Sequence, residues 1–342
     1  MSQLKAVIFI LNLFFISSNL EGQAQNTRIN GLTVVGVPAP YKTNPIPRLN
    51  ETLANWICLV PYGFGQKEQT NIRFNVSRQW WGEKEEGIVE TVKLAREKNL
   101  KILLKPQIYI HGSWPGDIDF DNEKDWLEWE KNYKEFIFFY LRIAAREEIE
   151  MFCIGTEFKK SVLKRKSFWV DLISEARTIY CGEITYSSNW DNYQSIGFWK
   201  ELDYIGISAY FPILNKDNPS VEQIKKAWMP KVKSLKTFSR KWDRKILFTE
   251  YGYLAVDRTT YNNWELEKQI KQLKVNEQAQ ANALQALYES FYPQKYWAGG
   301  FLWKWFPNNH GHEGYIEKDY TPQDKLGEAV LKKFFGPQTS ND

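Results

Sequence analysis

The chain has 342 residues, of which 43% are hydrophobic and 25% charged, and its formal net charge is +4. This composition excludes an intrinsically disordered chain, and the small net charge gives no reason to expect nucleic acid or another polyanionic partner. Aromatic residues make up 16% of the chain and include 15 Trp. Such side chains either fill the core or stack on flat apolar ligand faces, including those of sugar rings.

The N-terminus has the pattern of a secretory signal peptide. Lys5 precedes an apolar stretch from Ala6 to Ile16, and a site of small residues follows at Gly22-Gln23-Ala24. We therefore predict a signal peptide over residues 1–24, a mature chain of residues 25–342, and a secreted or periplasmic protein. An uncleaved anchor is the alternative, but this apolar run is shorter than the roughly 20 residues that span a membrane. No segment of the mature chain is long enough to do so.

Short apolar runs alternate with helical stretches along the whole mature chain, which is typical of parallel βα units. Several runs lack polar alternation, as expected of strands that are covered on both faces. The predicted strands are Leu32–Val37, Trp56–Val60, Lys101–Lys105, Met151–Gly155, Ile184–Ser187, Tyr204–Ser208, Ile246–Thr249 and Gly300–Trp303. Eight such units predict an α/β fold, a single (β/α)₈ TIM barrel over residues 25–342.

Helical periodicity is strongest between the third and fourth strands and near the C-terminus. Apolar positions recur with a period of 3.6 from Trp126 to Ala144 and from Ala279 to Phe291, and a last helix follows Gln323. No Gly/Ser-rich or Pro-rich linker divides the chain, so one domain is the simplest interpretation.

We predict no metal and no cofactor. The three cysteines, Cys58, Cys153 and Cys181, lie in or beside apolar runs without the spacing of a metal motif, and we expect buried free thiols. His310 and His312 have a short spacing, but a polar loop that touches substrate explains them as readily as a metal site. No Gly-x-Gly-x-x-Gly follows the first strand, so a dinucleotide fold is not indicated.

Two carboxylates directly follow apolar strands. Glu157 ends the fourth strand and Glu250 ends the seventh, and the C-terminal strand ends of a barrel form its active-site mouth. One such Glu is explained equally well by capping or ion pairing. A pair of them suits glycoside hydrolysis, in which one carboxylic acid protonates the leaving oxygen while the second carboxylate attacks the anomeric carbon or activates water.

With this pair the chain resembles glycoside hydrolase family 113, whose characterised members are β-1,4-mannanases. The resemblance runs through Trp80-Trp81-Gly82, Leu104-Lys105-Pro106, Gly155–Phe158, Thr249–Tyr253 and Phe301–Trp303. It implies that Glu157 is the acid/base and Glu250 the nucleophile, with hydrolysis by double displacement and retention of configuration. One departure is Thr156, because most of the wider clan has Asn before the acid/base, where it binds the sugar 2-hydroxyl.

The resemblance also implies roles for two aromatic residues: Tyr210 as a hydrogen-bond donor to the nucleophile, and Trp303 as a platform under the sugar. Further candidates follow other strands and are placed to line a cleft; they are Asn189, Trp190, Trp80, Trp81 and Trp114. Lys105 and Gln107 end the third strand, where they would bind sugar hydroxyls, or Lys105 would pair with a carboxylate. Packing in the core is the alternative role for each of the aromatic residues.

The predicted partner is a β-mannan-type polysaccharide or oligosaccharide, namely mannan, glucomannan or galactomannan cleaved internally. Two alternatives keep the mechanism but change the mode or substrate: an exo-β-mannosidase and a β-glucanase. A third is a noncatalytic carbohydrate-binding barrel, against which the presence of both Glu157 and Glu250 argues.

Overall fold

A computed structural model describes residues 28–308 and 314–337. The predicted signal peptide, His310 and His312 therefore lie outside the described residues. No helix in the described part of the chain has the length and apolar character needed to cross a membrane.

The described residues form ten strands. They are β1 (Ile29–Val34), β2 (Trp56–Leu59), β3 (Tyr62–Gly65), β4 (Lys101–Leu104), β5 (Gln107–Ile110), β6 (Met151–Thr156), β7 (Glu183–Asn189), β8 (Tyr204–Ser208), β9 (Lys245–Tyr251) and β10 (Trp297–Trp305). Eight of them close a parallel barrel in the order β1-β10-β9-β8-β7-β6-β4-β2. The predicted TIM barrel is confirmed, and each of the eight predicted strands overlaps one barrel strand.

Helices cover the outside of the barrel. In the described residues they are α1 (Ile46–Asn50), α2 (Glu85–Arg96), α3 (Glu123–Arg146), α4 (Lys159–Lys164), α5 (Lys166–Ile179), α6 (Val221–Trp242), α7 (Asn263–Lys268), α8 (Glu277–Phe291) and α9 (Leu326–Phe335). The longest begin at side-chain caps: Asn122 accepts from the Asp125 amide before α3, and Ser220 and Gln223 form a capping box before α6. The periodic apolar residues of α3 and α8 are buried against the barrel, as predicted.

The sequence did not predict β3 and β5, which form a separate two-stranded parallel sheet. Each continues a barrel strand beyond the mouth, β3 after β2 and β5 after β4. Pro61 and Pro106 stand at the two junctions. Proline has no N–H to donate, so the pairing loses a donor at each of these positions. The Gln107 amide still donates to the Pro61 carbonyl at 3.0 Å, and the two strands continue as a wall beside the mouth.

The barrel interior changes from apolar to polar toward the mouth. Its lower part is filled by the apolar cluster of Ile29, Trp56, Cys58, Val60, Leu103, Met151, Cys153, Leu247, Ala298 and Phe301. Above this cluster the Ser187 hydroxyl lies 2.7 Å from the Thr249 hydroxyl and 3.1 Å from the Ser208 hydroxyl. Side chains alternate along a strand, so Lys105 faces inward like Leu103. The polar groups of the mouth thus stand on a packed apolar base.

The prediction for the cysteines is wrong in one case. Cys58 and Cys153 are buried free thiols, but Cys181 is exposed. Cys181 lies in the short connection between α5 and β7 and not in the strand that follows it. Burial raises the pKa of the Cys58 thiol to about 12, which keeps it protonated and unreactive.

Candidate active site

The two carboxylates predicted from the sequence meet at the mouth of the barrel. Glu157 directly follows β6, and Glu250 lies near the end of β9. Both line one cavity of about 200 Å³, together with Gln107, Trp114 and Thr156. These five residues lie in β5, β6 and β9 or shortly after them. The fold brings them together, as the sequence predicted.

Glu157 has an unusual backbone conformation. Its φ is +61°, in the left-handed region that side chains other than glycine rarely adopt. The Glu157 amide donates to the Ser187 carbonyl at 2.8 Å, and the Lys159 amide donates back to the Glu157 carbonyl at 2.8 Å. The pairing of β6 with β7 also shifts register between Cys153 and Thr156. These features turn the Glu157 side chain into the mouth at the end of its strand.

The surroundings of Glu157 favour its protonated form. Burial raises the pKa of this carboxyl group, and the negative charge of Glu250 raises it further. Hydrogen bonds from Trp114 and Ser208, and the charge of Lys105, lower the pKa but do not reverse the shift. The Trp114 Nε1 group donates to Glu157 Oε2 at 2.6 Å. Glu157 can therefore hold a proton to donate and, once ionised, keeps one indole donor.

Glu250 has the opposite set of neighbours. Lys105 Nζ donates to Glu250 Oε2 at 2.6 Å, and Gln107 Nε2 lies 3.4 Å from the same oxygen. The Tyr210 hydroxyl donates to Glu250 Oε1 at 2.7 Å. Both carboxylate oxygens thus accept hydrogen bonds, one of them from a cation. This arrangement stabilises Glu250 as an anion of fixed orientation.

Lys105 and Tyr210 keep the protons that these bonds require. Lys105 is completely buried. Burial by itself lowers the pKa of its ammonium group, but the Glu250 carboxylate and the neighbouring thiols of Cys58 and Cys153 together outweigh burial, and the pKa is raised. Burial and the charge of Glu250 raise the pKa of the Tyr210 phenol well above its ordinary value. The expected ion pair of Lys105 with a carboxylate is therefore present, and Tyr210 donates where the resemblance placed it.

A second, larger cavity of about 750 Å³ adjoins the first. Tyr62 and Tyr109, which the sequence analysis did not single out, line both cavities. Trp303 lines the larger one, as does Trp80. The signal that could have identified Tyr62 is its place just after Pro61, where a barrel strand has ended. The two cavities therefore adjoin and share aromatic walls.

Three of the predicted residues neither line the two cavities nor hydrogen-bond to Glu157 or Glu250. Trp81 packs edge-to-face against Tyr41, with ring centroids 5.2 Å apart, and leaves its neighbour Trp80 to face the cavity. Asn189 accepts a hydrogen bond at 2.7 Å from the amide of Trp190. Trp190 stacks on Trp264 at 5.8 Å. Trp81, Asn189 and Trp190 are thus engaged by the protein's own residues.

Thr156 occupies the position where the wider clan has Asn. It is buried and lines the small cavity, and its hydroxyl lies 3.9 Å from the Cys153 sulfur. Within residues 28–308 and 314–337, no group of three or more His, Cys, Asp or Glu side chains is arranged to hold a metal ion.

Comparisons with known proteins agree with this architecture. A family 113 β-1,4-mannanase in a complex superposes with a TM-score of 0.77 at 24% identity, over 90% of this chain and 99% of that chain. The family 113 β-mannanase from Alicyclobacillus acidocaldarius, in complex with ManMIm, gives 0.78 at 24% identity, over 90% and 97%. A β-glucuronidase from Ruminococcus gnavus gives 0.61 at 12% identity, over 91% of this chain and 50% of that chain. At identities of 12% to 24%, this structural similarity shows that these proteins share the fold of the chain.

No curated protein sequence matches the chain. The sequence model of Glycoside Hydrolase Family 113, in contrast, matches residues 39–325, which is most of the barrel. The chain therefore belongs to glycoside hydrolase family 113.

Proposed function

We propose that the protein is a retaining β-1,4-mannanase that cleaves internal bonds of mannan, glucomannan or galactomannan. The observation that best supports this proposal is the difference in surroundings between two carboxyl groups that line one cavity. Glu250 accepts bonds from Lys105 at 2.6 Å and Tyr210 at 2.7 Å, whereas the pKa of Glu157 is raised. A nucleophile has to be ionised and a general acid protonated, and these surroundings supply both states.

The proposed reaction has two steps. Glu250 attacks the anomeric carbon while Glu157 gives its proton to the leaving glycosidic oxygen, and a glycosyl ester on Glu250 results. In the second step the ionised Glu157 takes a proton from water, the water oxygen attacks the anomeric carbon, and Glu250 leaves as a carboxylate. Two inversions at one carbon give net retention.

The substrate assignment is supported by membership of family 113 and by the structural likeness to two β-mannanases. The internal mode of attack is supported by the site's size. Cavities of about 750 Å³ and 200 Å³ share Tyr62 and Tyr109, and together they exceed the space needed for one sugar residue. A noncatalytic barrel would have no use for a carboxylate fixed by a buried ammonium group.

Product analysis tests this proposal. The purified protein is incubated with mannan, glucomannan, galactomannan and a mixed-linkage β-glucan, and reducing ends, viscosity and the anomer released first are measured. We expect β-mannans to lose viscosity before many reducing ends appear, with the β-anomer formed first. A slow viscosity change with release of mannose would indicate the exo-β-mannosidase, and preference for the glucan would indicate a β-glucanase. Release of the α-anomer, or no hydrolysis, would contradict the proposed mechanism.

We also propose that residues 1–24 are a signal peptide and that the mature enzyme acts outside the cytoplasm, where polysaccharides are encountered. Expression of the whole chain in a secreting host should give an extracellular or periplasmic protein whose N-terminal sequence starts at Gln25. A cell-associated protein that still carries the N-terminal apolar run would favour the uncleaved anchor.

A further inference from the structure

The larger cavity lies on one side of the catalytic pair. Its walls come from the end of β1, from β3 with the segment that follows it, and from Tyr109 and Trp303. Glu157 follows β6, Glu250 lies in β9, and both line the smaller cavity. A glycan that is bound across both carboxylates and extends over Tyr62 and Tyr109 enters the larger cavity.

Two arginines line this cavity without fixed partners. The backbone of Arg73 is tied to Phe64 by two hydrogen bonds of 2.8 and 3.0 Å, which fixes its position opposite β3. Arg78 lies in the turn that the Gln79 amide closes on the Val76 carbonyl at 2.9 Å. Both side chains are exposed, and neither guanidinium group forms an ion pair or hydrogen bond within residues 28–308 and 314–337. Two positive charges therefore face the cavity uncompensated.

The one carboxyl group among the described residues of this wall does not compensate these charges. Glu83 is buried, and burial raises its pKa to about 7, although bonds from Gln79 and from the Tyr62 backbone act against the shift. At mildly acidic pH Glu83 is therefore largely neutral. The field inside the cavity is set by the two guanidinium groups, which are always charged.

The floor of the cavity is built on the buried amide of Gln79. Gln79 is 6% exposed, and its Nε2 group donates to the Tyr62 carbonyl at 2.7 Å and to Glu83 at 3.1 Å. These bonds fix the amide, and its Oε1 atom has no hydrogen-bond partner among the described residues. This oxygen is itself inaccessible from the cavity, so Gln79 gives the cavity a rigid floor and leaves recognition of a ligand to the arginines.

We propose that this cavity binds a sugar residue that carries a carboxylate, with Arg73 and Arg78 on the carboxylate. The inference rests on the proposed function and narrows its substrate class to β-mannans that contain uronic acid residues. A guanidinium group holds a carboxylate through two parallel hydrogen bonds, a geometry that a neutral hydroxymethyl group does not match.

The experiment uses two pentasaccharides, β-1,4-mannopentaose and the same pentaose with one residue oxidised at C6 to the uronic acid. We expect the wild type to show a kcat/KM at least about tenfold higher for the acidic pentaose, with the preference declining at high salt. In the double variant Arg73→Gln/Arg78→Gln the preference should fall below about twofold, because glutamine keeps hydrogen-bond donors but not the charge. The kcat/KM for neutral mannopentaose is measured in the same variant, so that the preference is compared as a ratio of two rates.

Arg142→Gln is the matched control, because it removes the same charge from an exposed position on α3. The inference is overturned if the wild type treats the two pentaoses alike, or if the double variant keeps the preference. If neither pentaose is cleaved, the proposed function fails, and calorimetry with Glu250→Ala then decides the binding question separately. Tighter binding of the acidic pentaose, lost in the arginine variants, would support the inference, whereas equal binding would refute it.

Discussion

The surroundings of Glu250 and Glu157 differ in the charges and hydrogen-bond donors that they contain, although the two side chains line one cavity. Glu250 is bonded by a buried ammonium group, a phenol and an amide. Glu157 is bonded by an indole, and burial and the negative charge of Glu250 act on it most strongly. Two identical side chains thus have different chemical surroundings, as their proposed roles require. Variants of Glu250, Glu157, Lys105 and Trp114 test this difference.

The largest loss is expected for Glu250→Ala, since no other group in the small cavity replaces a nucleophile fixed in this way. We expect kcat on β-mannan to fall by about 10³-fold or more. With an activated aryl mannoside and azide, the small nucleophile should enter from the face that Glu250 has vacated and give the α-mannosyl azide. Unchanged hydrolysis by this variant would dismiss the assignment.

Glu157→Ala is the complementary variant, because we expect azide to give the opposite anomer of the product. We expect a loss of about 10²-fold on β-mannan, and a much smaller loss with a dinitrophenyl leaving group that needs no proton. Azide should now attack the glycosyl-enzyme and give the β-mannosyl azide. If both variants formed the same azide anomer, the two carboxylates would not have the roles proposed.

Lys105→Met removes the charge-assisted hydrogen bond to Glu250. The variant leaves Glu250 with Tyr210 and Gln107 and removes the cation from a completely buried position. We expect kcat/KM to fall by roughly 10- to 100-fold, the loss of one charge-assisted bond to a partly buried carboxylate. Lys101→Met, an exposed lysine at the opposite end of the same strand, is the control and should retain activity. A lower Tm with unchanged kcat/KM would show that Lys105 contributes to stability and not to catalysis.

Trp114→Phe should have the smallest effect on rate and a defined effect on pH dependence. The Trp114 bond favours the ionised form of Glu157, so its removal raises the pKa of Glu157 further. In the proposed mechanism, activity requires protonated Glu157 and is lost as the pH rises through this pKa. The basic limb of the kcat/KM profile should therefore move to higher pH. Trp242→Phe, on α6, is the control, and a downward shift in Trp114→Phe would contradict the argument.

Much of the barrel and of the catalytic centre was predictable, because strand order, strand polarity and residue type are local properties. An apolar run that ends in Glu places this side chain at the mouth, and this sufficed for Glu157 and Glu250. Lys105, Gln107 and Tyr210 follow or end their strands in the same manner. Their contacts with Glu250 required only that a closed barrel bring the strand ends together.

The remaining features depend on contacts that sequence position does not fix. Trp80 and Trp81 are adjacent and chemically identical, and only the fold decides that Trp80 faces the cavity. Asn189 and Trp190 follow a strand as expected, yet the connection turns Trp190 toward Trp264. Arg73 lies opposite Phe64 because β3 pairs beyond the barrel, and the four-residue strands there carry little periodicity.

The left-handed backbone of Glu157 has a consequence for the protein's thermal tolerance. A side chain in this region carries a conformational penalty of about 1–2 kcal/mol that glycine avoids. Selection for robustness alone would therefore favour Glu157→Gly, and heat resistance and turnover compete at this one position. Substitutions intended to raise the thermal stability of the enzyme should therefore be made at other positions.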